Sequence, residues 1–131
     1  MADPAIDPTA DQIAVLTAST DTGPIRMINL LRFKDAADGI DAGVSGAEAY
    51  GRYGTAAAPF LEKAGGRVLV AAACEDSIIG PEALEWDMLI VVEYPSREAF
   101  VGMVSDPGYL EITAHRTAAL VDSRLVLSKA V

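Results

Sequence analysis

The amino-acid sequence predicts an α+β domain whose elements follow in the order strand, helix, strand, strand, helix, strand. The length of 131 residues suits one domain rather than two. Apolar β-forming runs alternate with amphipathic helical segments, and Gly- and Pro-containing turns separate them. This order is the split βαβ arrangement (βαββαβ), in which a four-stranded antiparallel sheet carries two helices on one face.

Residues 1–22 are predicted to be an N-terminal extension with a short helix, and residues 23–131 form the α/β domain. The helical segment of the extension is residues 9–19. We expect Asp7 to cap its start and Pro8 to be its first residue, because proline has no N–H group to leave unpaired there.

Strands are predicted where apolar β-forming residues cluster between turn residues. Their predicted ranges are 25–33, 67–74, 86–94 and 123–128. The first helix is expected over 47–64 and ends at the left-handed cap of Gly65–Gly66. Ser96 is expected to cap a second helical region, which 106–108 interrupts before a further helix over 109–119.

The loop over residues 34–46 carries several aspartates, which raises the alternative of a calcium site. The glycine and glutamate positions that a calcium-binding loop needs do not fall at the required spacing. We therefore expect Asp35, Asp38 and Asp41 to lie in a solvated loop.

The predicted strands are apolar on both faces, whereas a sheet covered on one side should alternate apolar and polar residues. In the third strand Met88, Ile90 and Val92 point one way, and Leu89 and Val91 point the other. Two helices cover only one face, so we expect a homodimer in which the second faces of two copies pack together. The alternative is that the N-terminal segment folds over this face.

Composition and charge narrow the classes of partner. Ten basic and nineteen acidic residues give a net charge of −9, which disfavours binding to nucleic acid. The longest apolar runs are too short to cross a membrane, and the beginning of the sequence lacks the basic-then-apolar pattern of a signal peptide. One cysteine, Cys74, cannot form an internal disulfide. We therefore expect a cytoplasmic protein that binds neither nucleic acid nor membranes.

The sequence contains none of the short motifs that mark nucleotide or metal sites. It has neither a phosphate-binding GxxxxGK loop nor a GxGxxG turn, and its single histidine and single cysteine exclude the usual zinc ligand sets. We expect no metal and no cofactor. The remaining chemistry is acid–base catalysis or simple binding by the side chains of the chain itself.

Two polar residues interrupt apolar strands. Asn29 must find partners for its amide, so it either ties the backbone or contacts a ligand. Asp87 follows Trp86, and a carboxylate buried there serves either as a general base or in a structural salt bridge.

His115 and Arg116 lie near the end of the last predicted helix. Histidine is the side chain that titrates near neutral pH, so His115 is a catalytic acid–base candidate alongside Asp87, unless it only decorates the surface. Arg116 lies on the inward stripe of that helix. It either pairs with a carboxylate, such as Asp87 or Glu93, or holds an anionic substrate.

Three further side chains are candidates for substrate binding together with Asn29 and Arg116. Tyr50 and Tyr53 lie on or beside the inward stripe of the first long helix, where their hydroxyl groups either line a pocket or fill the core. Arg32 lies at the end of the first strand and either forms a basic pocket mouth or is a solvated strand end.

Several segments, in order, resemble the bacterial family called domain of unknown function 1330. They are Pro24–Phe33, Ala49–Tyr53, Gly65–Arg67, Trp86–Asp87, Glu93–Arg97 and Asp106–Arg116. The resemblance covers nearly everything from Pro24 to Val126. It implies a ferredoxin-like fold of the dimeric α/β-barrel superfamily, in which the sheets of two copies face each other. Relatives in that superfamily include cofactor-free monooxygenases, isomerases, lyases and proteins that only bind small molecules.

Two hypotheses about function follow. In the first, the protein is a cofactor-free small-molecule enzyme with a pocket between sheet and helices. There His115 or Asp87 moves a proton, Arg116 holds an anionic group, and Asn29 and Tyr50 orient the substrate. In the second, the protein is a non-catalytic small-molecule-binding or structural dimer, and the same residues are structural ties. Convergence of these side chains on one cavity favours the first, and a sealed pair of Arg116 and Asp87 favours the second.

Overall fold

The computed structural model describes residues 3–131, so the first two residues of the N-terminal extension lie outside the described part. The helices are α1 (Ala10–Ala18), α2 (Gly46–Lys63), α3 (Arg97–Val104) and α4 (Pro107–Ala119), and a 3-10 turn spans Gly39–Asp41. The strands are β1 (Ile25–Phe33), β2 (Arg67–Ala73), β3 (Met88–Tyr94) and β4 (Leu120–Ser128).

The strands pair into one antiparallel sheet in the order β2-β3-β1-β4. Helix α2 connects β1 to β2, and α3 with α4 connects β3 to β4. This is the predicted ferredoxin-like α+β fold, preceded by the short N-terminal helix α1, so the fold class is confirmed. Across residues 3–131 no helix is both long and apolar enough to span a lipid bilayer.

Side-chain caps determine where the helices begin. Ser45 and Ser96 each accept a hydrogen bond from a backbone N–H group in the first turns of α2 and α3. At α1 the Thr9 hydroxyl accepts from the Gln12 N–H, while the Gln12 side chain accepts from the Thr9 N–H. Because this reciprocal capping box satisfies the N–H groups of Gln12 and Thr9, α1 is capped at Thr9. The predicted cap at Asp7 and first helical residue at Pro8 are therefore wrong.

The second helical region consists of two helices, as predicted, but α4 begins earlier than expected. It starts at Pro107 rather than Tyr109, because Asp106 accepts a hydrogen bond from the Gly108 N–H and proline suits the first helical position. The strand boundaries shift by one to three residues. In the structure β2 ends at Ala73, β3 begins at Met88 and β4 begins at Leu120.

The inner face of the sheet, which the helices cover, carries the core. One cluster of buried residues joins β1 and β3 to α3 and α4, and it consists of Ile25, Met27, Val92, Tyr94, Phe100, Met103 and Tyr109. A second cluster joins β1 to α2 and the junction of α4 with β4, and it consists of Leu31, Ala37, Ala49, Ala119 and Leu120. The buried β1 positions, Ile25, Met27 and Leu31, are separated by two and four residues and so lie on one face, as expected for a strand with one face against helices.

The outer face of the sheet, on the side away from the helices, is also apolar. Ile28 on β1 lies opposite Val91 on β3 and Val126 on β4. Val126 is 50% exposed, and Val70 on β2 is 45% exposed. With such exposures, nothing within residues 3–131 buries this face. The apolar character that the sequence predicts for both faces is therefore present in the folded chain.

Strand β2 departs from the simple alternation that the sequence suggests. Val68 lies opposite Val92, whereas Val70 lies opposite Val91, so the register shifts between them. Leu69 is the extra residue of this irregularity, and the predicted division of β2 into two faces is interrupted there.

The N-terminal extension folds onto the helix-covered side of the sheet. Ile6 packs against the second core cluster, and Leu16 of α1 packs against the first. Helix α1 also contacts α3. The alternative in which this segment covers the outer face is therefore wrong for the residues that the structure describes.

We predict that Gly46→Ala destabilises the fold strongly. A Cβ atom at Gly46 would lie 2.1 Å from the Lys34 carbonyl oxygen and 2.8 Å from that of Ala119. Both contacts are backbone, so relief requires the start of α2 to move away from the segment after β1 and from the end of α4, which costs about 1–3 kcal/mol. Urea unfolding would measure this loss.

Gly51→Ala is the matched control within the same helix. A Cβ atom at Gly51 meets nothing within 4 Å, so this substitution should stabilise the fold by about 0.5–1 kcal/mol through helix propensity. Equal stabilities of the two variants would contradict the close approach at Gly46.

Candidate functional site

The layer between sheet and helices holds a group of polar side chains, Tyr50, Tyr53, Tyr109 and Arg116, which we call the tyrosine–arginine cluster. Tyr50 and Tyr53 come from α2, and the other two come from α4. The rings of Tyr50 and Tyr53 have centroids 5.3 Å apart, and the hydroxyl oxygens of Tyr53 and Tyr109 lie 2.6 Å apart. Three of the residues predicted to bind substrate are thus brought together.

Arg116 hydrogen-bonds to neutral groups. Its guanidinium donates to the Ile6 carbonyl oxygen and, over 3.2 Å, to the Ser123 hydroxyl. The hydroxyl of Tyr50 is a further neutral neighbour of the guanidinium. Within residues 3–131 no carboxylate forms a salt bridge with Arg116, although the side chain is half-buried. The expected ion pair with Asp87 or Glu93 is therefore wrong.

The two carboxylates expected near Arg116 have other partners. Glu93 is held by Arg26 at 3.3 Å and by Arg67 at 2.9 Å. Asp87 is exposed, and its carboxylate accepts a hydrogen bond of 2.8 Å from the Phe33 N–H at the end of β1. Asp87 therefore ties two chain segments together through the backbone, and the buried salt bridge considered for it is not formed.

The hydroxyls of Tyr50 and Tyr53 stay protonated. Burial raises the pKa of Tyr53 far above its ordinary value, and the neighbouring hydroxyl of Tyr109 raises it further. Burial also raises the pKa of Tyr50, and the nearby guanidinium of Arg116 offsets only part of this effect. The cluster therefore offers hydrogen-bond donors and one positive charge, a combination suited to holding an anion.

Asn29 lies on the same inner face of the sheet. Its side-chain nitrogen donates to the backbone carbonyl of Ile90 over 3.2 Å and, more weakly, to that of Met27 over 3.4 Å, which ties β1 to β3. Leu125 lies opposite Asn29 in the register of β4 and is 43% exposed. The layer between sheet and helices is therefore thinly covered at its β4 edge.

A second polar cluster is built around Asp41, which is 1% exposed in the 3-10 turn. Asp41 Oδ2 lies 2.8 Å from Nδ1 of His115, and Asp41 Oδ1 accepts a 2.8 Å hydrogen bond from Arg52. Burial alone would raise the pKa of Asp41. The hydrogen bonds from Arg52 and His115 outweigh burial and hold this pKa below its usual range. The expectation that Asp41 is solvated is wrong.

His115 therefore has a specific partner and is more than surface decoration. Its side chain remains 27% exposed, and its ring borders a shallow depression on the outer side of α2. The other residues of this depression are Glu48, Gly51, Arg52, Thr55 and Ala56. Arg32 lies apart from both clusters, is exposed, and has no ion-pair partner among residues 3–131. The predicted candidates are thus divided between separate places.

No grouping of three or more His, Cys, Asp or Glu side chains close enough to hold a metal ion occurs in the described part of the chain.

Sequence reasoning missed Asp41, Arg52 and Ser123 as partners of the candidate residues. Each is polar and ordinary in its local sequence, and only contacts between distant segments reveal it.

One protein family, described as a domain of unknown function (DUF1330), matches residues 40–130. The crystal structure of RPA0582, a protein of unknown function from Rhodopseudomonas palustris, is 42% identical, with a TM-score of 0.90 over 98% of each chain. Methylated RPA0582 is also 42% identical, with a TM-score of 0.89 over 99% of this chain and 97% of the other.

A dabb family protein with a ferredoxin-like fold from Mesorhizobium loti is 14% identical, with a TM-score of 0.49 over 83% of this chain and 98% of the other. No curated protein matches the chain.

We predict that Asp41→Asn makes the stability of the fold less sensitive to acid, because part of the native protein's loss of stability at low pH comes from protonation of Asp41. A carboxyl group whose pKa is lower in the folded chain stabilises the fold above its unfolded value of 3.8, and that contribution disappears as pH falls through the folded pKa. Melting temperatures of the native protein and the variant should therefore differ at about pH 6 and converge below about pH 4.

Asp35→Asn is the control, because Asp35 is exposed in the same loop. Its melting curves should follow those of the native protein at every pH. A gap between the native protein and Asp41→Asn that stays constant into acid would contradict the role of the Asp41 charge.

Proposed function

The chain belongs to the DUF1330 family of domains of unknown function, and we propose that this member binds a small carboxylate at Arg116, between sheet and helices. The observation that carries this proposal is the half-buried guanidinium of Arg116, which has only neutral hydrogen-bond acceptors within residues 3–131. A buried charge is ordinarily paired, because desolvating it alone is unfavourable. A bound anion would supply the missing countercharge.

The composition of the chain strengthens this proposal. Nineteen acidic residues are available, yet the carboxylates expected to pair with Arg116 have other partners. The tyrosine hydroxyls beside the guanidinium are protonated donors, so they add hydrogen bonds to an anion and no competing negative charge. A planar carboxylate matches the two-pronged geometry of a guanidinium.

Access to Arg116 requires the N-terminal segment to move. The Ala5 N–H donates to Asp122 over 2.9 Å, the Ser123 hydroxyl donates to the Ala5 carbonyl over 2.7 Å, and Arg116 donates to the Ile6 carbonyl. The Ile6 oxygen thus occupies one position that a ligand oxygen would take. Few contacts hold this segment, and residues of α1 are exposed or half-buried, so local opening is favoured over unfolding of the sheet.

We predict that Arg116→Gln weakens binding of benzoate by about tenfold or more, because a hydrogen bond to a charged group contributes about 1.5–3 kcal/mol. Calorimetric titration would measure the affinity, and amide NMR signals of Ile6 and Ser123 would report the location. Benzamide, which is neutral and of similar shape, should bind poorly to the native protein.

Arg32→Gln is the matched control, because it removes an exposed arginine at the end of β1. It should leave benzoate affinity unchanged. Equal affinities of the native protein and Arg116→Gln would overturn the assignment of Arg116 as the carboxylate-binding residue.

We also propose that two copies pack their outer sheet faces together as a homodimer. Val70 and Val126 are exposed on this face, and the N-terminal extension lies on the other side of the sheet. An apolar sheet face left in water is unusual for a monomer, and a two-fold axis lets the same face serve both copies. The single cysteine, Cys74, is free, which fits the cytoplasm as the proposed location.

We predict that Val126→Glu converts the dimer into a monomer, because the two-fold axis would bury two unpaired carboxylates. Light scattering coupled to size-exclusion chromatography would give the mass. Val15→Glu is the control, because Val15 is 72% exposed on α1, away from the outer face, and this variant should remain dimeric. A single-chain mass for the native protein at micromolar concentration would contradict the proposed homodimer.

A second candidate function, a cofactor-free enzyme using acid–base chemistry, is favoured by the contact between His115 and Asp41. A buried carboxylate on Nδ1 fixes the ring and its tautomer, which leaves Nε2 to exchange a proton at the surface depression. The enzyme hypothesis and the binding hypothesis predict different effects of one substitution, His115→Gln, on turnover. His115→Gln abolishes turnover if His115 moves a proton, and it leaves benzoate binding at Arg116 intact in either case.

A further inference from the structure

A cavity of about 380 Å³ lies between α1 and α3, formed by elements that are distinct from the tyrosine–arginine cluster. Leu16 and Thr17 of α1 line one side, the loop with Asp21 lines another, and Arg97 and Val101 of α3 line a third. One water molecule occupies about 30 Å³ of liquid, so this space exceeds what one or two waters fill.

Arg97 is the side chain in this cavity whose hydrogen bonding is incomplete. The side chain is 12% exposed, and within residues 3–131 its buried Nη1 atom has no hydrogen-bond partner. Its Nη2 atom reaches Asp21 at 3.6 Å, which is too long for a hydrogen bond, and Asp21 is itself 67% exposed. A buried donor without an acceptor is unfavourable, and native proteins contain few of them.

The neighbouring polar groups do not complete the coordination of Arg97. The Ser96 hydroxyl accepts the Ala99 N–H as the cap of α3. Glu98 also lines the cavity, but it is exposed at the first turn of α3 and forms no salt bridge within the described range. Arg97 lines the cavity beside Leu16 and Val101, and its unpaired Nη1 atom is covered, so a ligand reaches that atom only when the guanidinium turns toward the cavity.

We propose that this cavity binds a small aliphatic carboxylate, with its oxygens on Arg97 and its apolar part against Leu16 and Val101. A carboxylate matches the donor fork of a guanidinium and can form the direct hydrogen bonds that the exposed Asp21, paired with Arg97 at 3.6 Å, does not form. The apolar side of the cavity excludes inorganic anions as good ligands, because they would leave that surface uncovered. This site is independent of the proposal for Arg116.

Titration with butyrate, followed by the amide NMR signals of Gly102 and Ser105, tests this proposal. Both residues line the cavity. Butyrate should shift these signals saturably, and butyramide, its neutral counterpart, should not. Arg97→Gln should weaken butyrate binding about tenfold or more. Arg116→Gln should leave the response at Gly102 unchanged, which separates this site from the one between sheet and helices.

Asp21→Asn provides a second variant whose effect has the opposite sign. It removes the carboxylate that competes for Arg97, so butyrate should bind a few-fold more tightly, in line with the small contribution of exposed ion pairs. Asp21 is exposed, so this variant tests the site even if Arg97→Gln fails to fold. Equal affinity in Arg97→Gln, equal binding of butyramide, or no saturable shift at Gly102 would each overturn the proposal.

Discussion

Strands β1 and β3 carry apolar side chains on both faces of the sheet, and the rest of the molecule is arranged around this constraint. The helices and the N-terminal extension cover the inner face, where Ile25 and Leu31 are fully buried. The outer face keeps Val70 and Val126 exposed within a single chain. Apolar burial is the main favourable term in folding. The described part of the chain buries the inner face of the sheet and leaves the outer face exposed, which is unusual for a monomer.

The distribution of charge follows from the same arrangement. Glu93 is bound by Arg26 and Arg67 on the outer side of the sheet, so its charge is compensated locally. On the helix-covered side, the charge of Asp41 is compensated by Arg52, and its second carboxylate oxygen contacts His115. Arg116 differs from these groups because its hydrogen-bond acceptors are neutral. Arg116 is therefore the group at which we propose that an anion binds, in a chain of net charge −9.

Local sequence patterns were sufficient to predict most of the fold. The bounds of β1 agree with the prediction, and α2 differs from it by one residue at each end. These elements have clear hydrophobic periodicity and turn residues at their ends. The family resemblance is likewise confirmed, by the match over residues 40–130.

The candidate site was less predictable, because its contacts join distant segments of the chain. Arg116 meets Ile6, which is 110 positions away, and His115 meets Asp41 across 74 positions. No local pattern encodes such pairs. The loop around Asp41 has the composition of a solvated loop, and its burial depends on the packing of α4 against the 3-10 turn. Composition predicted the wrong environment there because burial is a tertiary property.

His115 and Arg116 are consecutive on α4, and their contacts fix how this helix is rotated. Successive residues of an α-helix project about 100° apart, so the two side chains reach different neighbours. His115 is held by a carboxylate that is 1% exposed, and Arg116 reaches the N-terminal segment and β4. Rotating α4 enough to move the guanidinium would break the contact with Asp41. The two polar clusters therefore make their contacts on different sides of the same helix, and the side chains of Asp41 and Arg116 do not touch each other.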